Sequence, residues 1–528
     1  MNYSKKNKKI VLTLSTLLVV IIFCVGYCKT GLTSKQGTKS MIILKVFPER
    51  QNYIVGEEIQ LVIQISNNFT HSIEIPDPTK LSSPQPEYTI TGPEYPSGKI
   101  FSLFSLSQEK GNINDNLSNL PTIAIEPNST WEDIVPLSSF ISFTLPGEYK
   151  ITSSIRLDTI TAESPAYTFN ISELEIKAIH LGLGTRPLEE GEGEGAFIQK
   201  SGDSHNLYTF VFKEARPDIG ETEIISLVNR GEVSQVANEV IVPWRNSPFF
   251  NEMIRWIVWC EGKKIKVLNS IILEPLSFEL DEEPAYLIKP ALKITDEAVE
   301  ILVVSKDEKN ITLIRIKDNV SEPGKSGELV WKIPLPDKPT EIHSALSPSS
   351  LNNERHIAFV VQRADGIEIF YTRYNQVTSP EQFQSVKLEN SKMLINAPLA
   401  MFVNVKGKVY ISVIVVTDEK SHTCALAEAE IGSDGKPIGN IKLRNIGSLP
   451  DFLTGGSILY AEKNAMLERR DVVIVTESQG LYWSNADGLL RPVSVGGTPT
   501  KPLLLCPGKD VSYILYHEPK RGLYFEPL

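Results

Sequence analysis

The chain has 528 residues, enough for three or four average domains, and its 41% apolar and 22% charged residues are those of ordinary globular folds. The net charge is −11, and no Lys/Arg cluster occurs outside the N-terminus. Nucleic acid, which is bound by displacing counterions with a basic patch, is therefore not an expected partner.

The N-terminus carries Lys5, Lys6, Lys8 and Lys9, followed by nineteen uncharged residues, Ile10 to Cys28. About 17–25 apolar residues cross the hydrocarbon core of a bilayer. The lysines should remain in the cytoplasm, so residues 29–528 are expected outside it. Residues 1–28 thus read as cytoplasmic lysines plus a transmembrane or signal segment, with the membrane as partner through residues 10–28. Three fates stay open: a retained anchor, a cleaved signal peptide, or lipidation at Cys28, since Val25-Gly26-Tyr27-Cys28 loosely resembles a bacterial lipobox. Residues 29–40 are polar and contain glycine, as a tether would be. The expected location is the cell envelope.

Residues 41–178 read as many short strands. Ile59-Gln60-Leu61-Val62-Ile63-Gln64-Ile65 alternates with period two except at Val62, which places one face on a core. Further strands are expected at Met41–Phe47, Tyr88–Thr91, Thr122–Ile125, Trp131–Pro136, Glu148–Arg156 and Tyr167–Ile176, with Pro/Gly turns between them. Short strands of this kind build a β-sandwich. Leu145-Pro146-Gly147-Glu148-Tyr149 enters a strand whose Tyr149 is placed to act as a corner tyrosine. The run from Val55 to Asn67, V-G-E-E-I-x-L-x-I-x-I-x-N, resembles a strand of immunoglobulin-like envelope sandwiches, and also the bacterial proteinase-inhibitor sandwich.

Residues 179–196 read as a solvated acidic linker, because Glu189-Glu190-Gly191-Glu192-Gly193-Glu194-Gly195 joins flexible glycines to mutually repelling carboxylates. The same glutamates oppose a phosphate cradle.

Residues 197–528 contain a repeat. A strongly apolar strand, a polar turn and a second strand recur seven times, with first strands at 207, 253, 299, 357, 409, 472 and 511, about 51 residues apart on average. Propeller blades commonly repeat at about 40–50 residues. Short apolar runs at Pro290–Ile294, Ala397–Val403 and Pro502–Cys506 are candidate innermost strands. The fold class is therefore all-β: an N-terminal membrane helix, an immunoglobulin-like β-sandwich and a β-propeller, most simply of seven blades. Gly480–Gly488 (GLYWSNADG) resembles the strand and turn of sialidase-like propellers, which carry Asp-boxes. Ser484-Asn485-Ala486-Asp487-Gly488 has the aspartate displaced and no Thr-Trp follows. The nearest counterpart to the sialidase Arg-Ile-Pro motif is Trp331-Lys332-Ile333-Pro334, with lysine for arginine. The resemblance implies the fold and opposes the activity.

No catalytic, cofactor-binding or metal-binding set is assigned. The histidines His71, His180, His205, His343, His356, His422 and His517 belong to no H-E-x-x-H, no G-x-S-x-G elbow occurs, and Cys260, Cys424 and Cys506 stand apart, without zinc spacing. Glu282-Glu283 and Glu189-Glu190 are neighbours that a strand would point to opposite faces. Trp256 and Trp259 are expected in a core, whereas Trp244-Arg245, in a loop after Pro243, is the candidate ligand contact. The expected function is a non-enzymatic, membrane-anchored binding or scaffolding protein using the propeller face for protein or glycan. A diverged sialidase-like glycoside hydrolase and a proteinase-inhibitor-like role for the sandwich are the alternatives.

Overall fold

The alternation of Ile59–Ile65 becomes the strand Gln60–Asn67, which pairs antiparallel with Ile42–Pro48 and Thr130–Pro136. Ile42, Leu44, Val46, Leu61, Ile63 and Ile65 are buried on its inner side. A computed structural model describes residues 41–528 apart from 81–85, 106–121, 140, 142, 158–159, 182–191, 202–203, 217–220, 242–255, 270–274, 289–292, 295–297, 318–326, 347–353, 375–381, 395, 464–465, 479, 486–487, 495–503, 508–511, 519 and 521. The membrane stretch 10–28, the tether, Cys28, Trp244 and Arg245 lie outside the described residues. Among the described residues no helix is long and apolar enough to cross a membrane.

The second sheet of the N-terminal unit runs Asn52–Ile54, Tyr167–Ser172, Gly147–Leu157, Glu87–Thr91 and Lys99–Phe101. Both sheets bury apolar residues in one core, including Leu44, Ile63, Tyr88, Tyr149 and Phe169. A sheet that is apolar on one face must cover that face, and two sheets do so for each other. Tyr149 is fully buried as a ring while its hydroxyl donates to the Leu145 carbonyl at 2.8 Å, the corner expected from the sequence.

Seven further sheets follow in chain order. Blade 1 comprises Ile176–Leu181, Glu192–Ser201, Ser204–Arg216 and Glu221–Val233. Blade 2 spans Ala237–Glu279, blade 3 Tyr286–Pro334, blade 4 Glu341–Glu389, blade 5 Lys392–Ser448, blade 6 Leu453–Val493 and blade 7 Leu504–Pro527. Each is an antiparallel meander, with three described strands in blade 7 and at least four in the others. The second and third strands of blades 2–7 are the hairpins read from the sequence. Lys293–Ile294, Ala400–Val403 and Leu504–Pro507 are inner strands, as the short apolar runs suggested.

The arrangement closes. Separate apolar cores join blade 1 to 2, 2 to 3, 3 to 4, 4 to 5, 5 to 6 and 6 to 7. A further core joins blade 7 back to blade 1 through Tyr513, Leu515, Phe197, Phe210 and Phe212. Sheets stacked face to face in an unbroken cycle form a propeller, and the strand faces buried on both sides explain the near-continuous apolar runs.

Two boundaries differ from the sequence reading. The acidic stretch 179–196 is strand wherever it is described: Ile176–Leu181 pairs with Glu192–Ser201, which pairs along its whole length with Ser204–Arg216. Pairing with Ser204–Arg216 supplies what the Glu/Gly composition lacks, and Gly195 admits the Phe210 ring where a Cβ would lie 2.2 Å from it. Consequently Leu207–Phe212 and Glu223–Val228 belong to the third and fourth strands of blade 1, rather than to its second and third.

The sandwich is also joined to the propeller. Ile54 and Leu174 enter the core at the seam between blades 7 and 1. Glu57, 3% exposed, accepts hydrogen bonds from Ile54 N (3.0 Å), Tyr208 Oη (3.2 Å) and Arg50. The turn Val55-Gly56, with Gly56 at φ +85°, brings this carboxylate inward.

Candidate functional site

In five blades the residue just before the apolar heart of the second strand is polar and buried: Glu300, His356, Ser412, Asp471 and Ser512. Several tie one blade to the next. Glu300 of blade 3 accepts from Arg315 Nε (3.1 Å) and Nη2 (2.8 Å), and Arg355 Nη2 of blade 4 lies 3.6 Å from it. In blade 5, Ser412 and Glu428 meet the Tyr460 hydroxyl of blade 6 at 2.5 and 3.4 Å, with Arg470 Nε 3.1 Å from Glu428. Asp471 of blade 6 accepts from Trp483 Nε1 (3.1 Å) and from Ser512 Oγ of blade 7 (2.5 Å). His356 Nδ1 lies 2.7 Å from the Tyr371 hydroxyl within blade 4, and burial lowers its pKa to about 3. Burial likewise lowers His343, on the innermost strand of blade 4, to about 4. Glu300, His356, Ser412, Asp471 and Ser512 are buried and each has a polar partner on a neighbouring strand or blade, as structural polar groups in a core must.

The other sequence candidates are also structural. Cys260 and Cys424 are thiols buried on strands, and burial pushes the Cys424 thiol up to about 12. Trp259 is 3% exposed between blades 1 and 2. Lys332 is exposed on the outermost strand of blade 3, Gly327–Pro334, in the position farthest from the propeller axis. Glu283 faces Lys306 at 3.9 Å, both largely exposed. Among the described residues no group of three or more His, Cys, Asp or Glu is placed to hold a metal ion.

A different kind of surface lies where blades 5 and 6 meet. Three segments converge: the turn Asp418–His422 between the second and third strands of blade 5, the link Leu449–Phe452, and the turn after Thr476 in blade 6. Backbone bonds lock them together, from Leu449 N to His422 O (3.2 Å) and from Glu477 N to Phe452 O (2.8 Å). Phe452 is 61% exposed, and its ring lies 4.5 Å from that of His422. His422 holds φ +48°, a conformation that side chains other than Asn, Asp and His seldom adopt. Asp418 accepts from Lys420 N (3.0 Å) and Ser421 Oγ (2.7 Å), and Asp451 from Phe452 N (2.7 Å) and Ser478 N (2.8 Å).

These bonds hold both carboxyls below the usual carboxylate range. The Ser421 hydroxyl is the main cause at Asp418 and the Phe452 N–H at Asp451, and the nearby His422 contributes to both. The result is an exposed phenyl ring against a half-buried imidazole, flanked by two fixed, ionised carboxylates. Sequence reasoning passed over it, because His422 joins no motif. The available signal was Pro450-Asp451-Phe452, an aromatic residue set among turn formers outside any strand.

The fold is thus a β-propeller carrying a β-sandwich at one seam. No family model and no curated relative matches the sequence. Among solved structures the chain is similar to AofleA from Arthrobotrys oligospora, at 8% identity and TM-score 0.36, over 62% of this chain and 89% of that one. It is similar to the α-L-arabinofuranosidase Arb93A from Fusarium graminearum at 10% identity and TM-score 0.34, over 68% and 97%. The fucose-specific lectin from Aleuria aurantia matches at 8% identity and TM-score 0.29, over 67% and 96%. Likenesses this distant carry no site or activity to the present chain.

Proposed function

We propose that the protein is a non-enzymatic binding module of the cell envelope, held at the membrane by residues 10–28, that takes a glycan on the face carrying His422 and Phe452. The observation that carries this reading is the exposed Phe452 ring packed on the half-buried His422, set on three hydrogen-bonded segments rather than on a free loop. A sugar ring presents apolar C–H groups to an aromatic face and hydroxyls to neighbouring acceptors, and a rigid aromatic surface loses little entropy when it is covered. The carboxylates of Asp418 and Asp451 supply the acceptors.

At this face the same carboxylates suit binding better than hydrolysis. Glycoside hydrolysis needs one carboxyl kept protonated as general acid, with a raised pKa. Both are lowered here. Neither is a proton donor at neutral pH.

A glycan array probed with the full chain, solubilised in detergent, tests the reading. Binding to a defined set of glycans that disappears in Phe452→Ala is expected. An array profile identical in the wild type and Phe452→Ala contradicts it.

A further inference from the structure

The charge around Phe452 narrows the ligand. Glu419, at the same turn, is already matched by Lys392 at 2.8 Å. Among the described residues neither Asp418 nor Asp451 has a Lys or Arg side chain within ion-pair reach; both are held ionised, and the basic ring beside both is the His422 imidazole. Asp418 accepts from Lys420 N and from Ser421 of its own turn, and Asp451 from Phe452 N of its own link and from Ser478 of the blade 6 turn, about three bonds to each carboxylate. A carboxylate oxygen offers two lone-pair directions, so acceptor capacity remains on both groups. Two fixed negative charges beside an uncovered aromatic ring suit a ligand that is apolar on one face and positively charged at its edge. The ring quadrupole attracts a cation as the carboxylates do. An anionic sugar meets repulsion from both.

We infer that the glycan taken at this face is an amino sugar, lying on Phe452 and His422 with its ammonium group toward Asp418 and Asp451. This rests on the glycan reading of the same face. A basic peptide side chain shares the charge but not the flat, hydroxyl-bearing ring, and the chain of hydroxyls Ser421, Thr423 and Ser448, bonded to one another beside Asp418, keeps acceptor lone pairs for a sugar's hydroxyls.

Calorimetric titration of the full chain in detergent, in mildly acidic buffer, separates the possibilities. The probes are a glucosamine trimer, its fully N-acetylated counterpart, a galacturonate trimer and trilysine. The glucosamine trimer should bind tightest, by about tenfold over the N-acetylated trimer, which corresponds to about 1.4 kcal/mol. The galacturonate trimer should not bind. Phe452→Ala should abolish binding of both glucosamine probes, and the double variant Asp418→Asn/Asp451→Asn should remove only the difference between them. Equal or tighter binding of the N-acetylated or galacturonate trimer, still dependent on Phe452, overturns the charge inference while leaving the glycan reading intact. Trilysine binding as tightly as the glucosamine trimer, through Phe452, overturns it in favour of a basic peptide. Glucosamine binding that survives Phe452→Ala is attraction to the net charge of −11 and overturns both.

Discussion

Asp471 shows how a single buried residue holds the propeller shut. Its carboxylate is wholly buried and takes hydrogen bonds from Trp483 in its own blade and Ser512 in the next. A hydrogen bond to a charged group contributes about 1.5–3 kcal/mol, and removing the acceptor strands its donors. Asp471→Ala should therefore lower unfolding stability by about 3 kcal/mol, read from the urea midpoint. His356 acts through pH. Its folded pKa of about 3 lies below the ordinary 6.5, so the stability from keeping it neutral is fully present above pH 6.5 and is lost as pH falls toward 3. The expected slope is about 1.4 kcal/mol per pH unit in that window, and His343 adds a second contribution in the same direction. Replacing His356 by Gln should flatten the acid limb of the stability profile; parallel limbs in variant and wild type would contradict the assignment. The polar position before each apolar strand, Glu300, His356, Ser412, Asp471 and Ser512, was present in the sequence at a constant offset. It went unread because four different residue types fill it, and only contact with the neighbouring blade gives them a common role.

At the scale of elements, hairpins declared themselves wherever both strands were apolar. The second strand of blade 1 did not, because Glu192-Gly193-Glu194-Gly195 has no β-forming side chain and takes its conformation from pairing with Ser204–Arg216, joined by Ile176–Leu181 from Gly195 onward. Residues 197–528 alone lack half of that strand and the Ile176–Leu181 strand beside it. Expressed by themselves they should fail to give a cooperatively folded domain, whereas residues 41–528 should. Sharp single-transition unfolding of 197–528 would restore the linker reading. Gly366 makes a second test. A Cβ there would fall 2.0 Å from the Leu388 carbonyl oxygen, which is backbone and cannot swing aside. Gly366→Ala should cost about 1–3 kcal/mol by forcing the third and fourth strands of blade 4 apart, measurable by chemical denaturation.

For the whole molecule, ring closure joins the two ends of the propeller sequence, blades 1 and 7, and the sandwich packs on that same seam through Ile54, Leu174 and Glu57. This was not legible beforehand, since the residues concerned are far apart in sequence and Glu57 reads as one more charged turn residue. The propeller itself was legible, from the spacing of its hairpins. The face at Phe452 was not, because it exists only where three separate turns meet. Hydrogen exchange of the full chain with and without the strongest array glycan locates the binding face. Added protection of the backbone amides of Lys420, Phe452 and Ser478, which border the aromatic pair, is expected, with little change elsewhere. Protection confined to another face of the propeller, or to the sandwich, would contradict it.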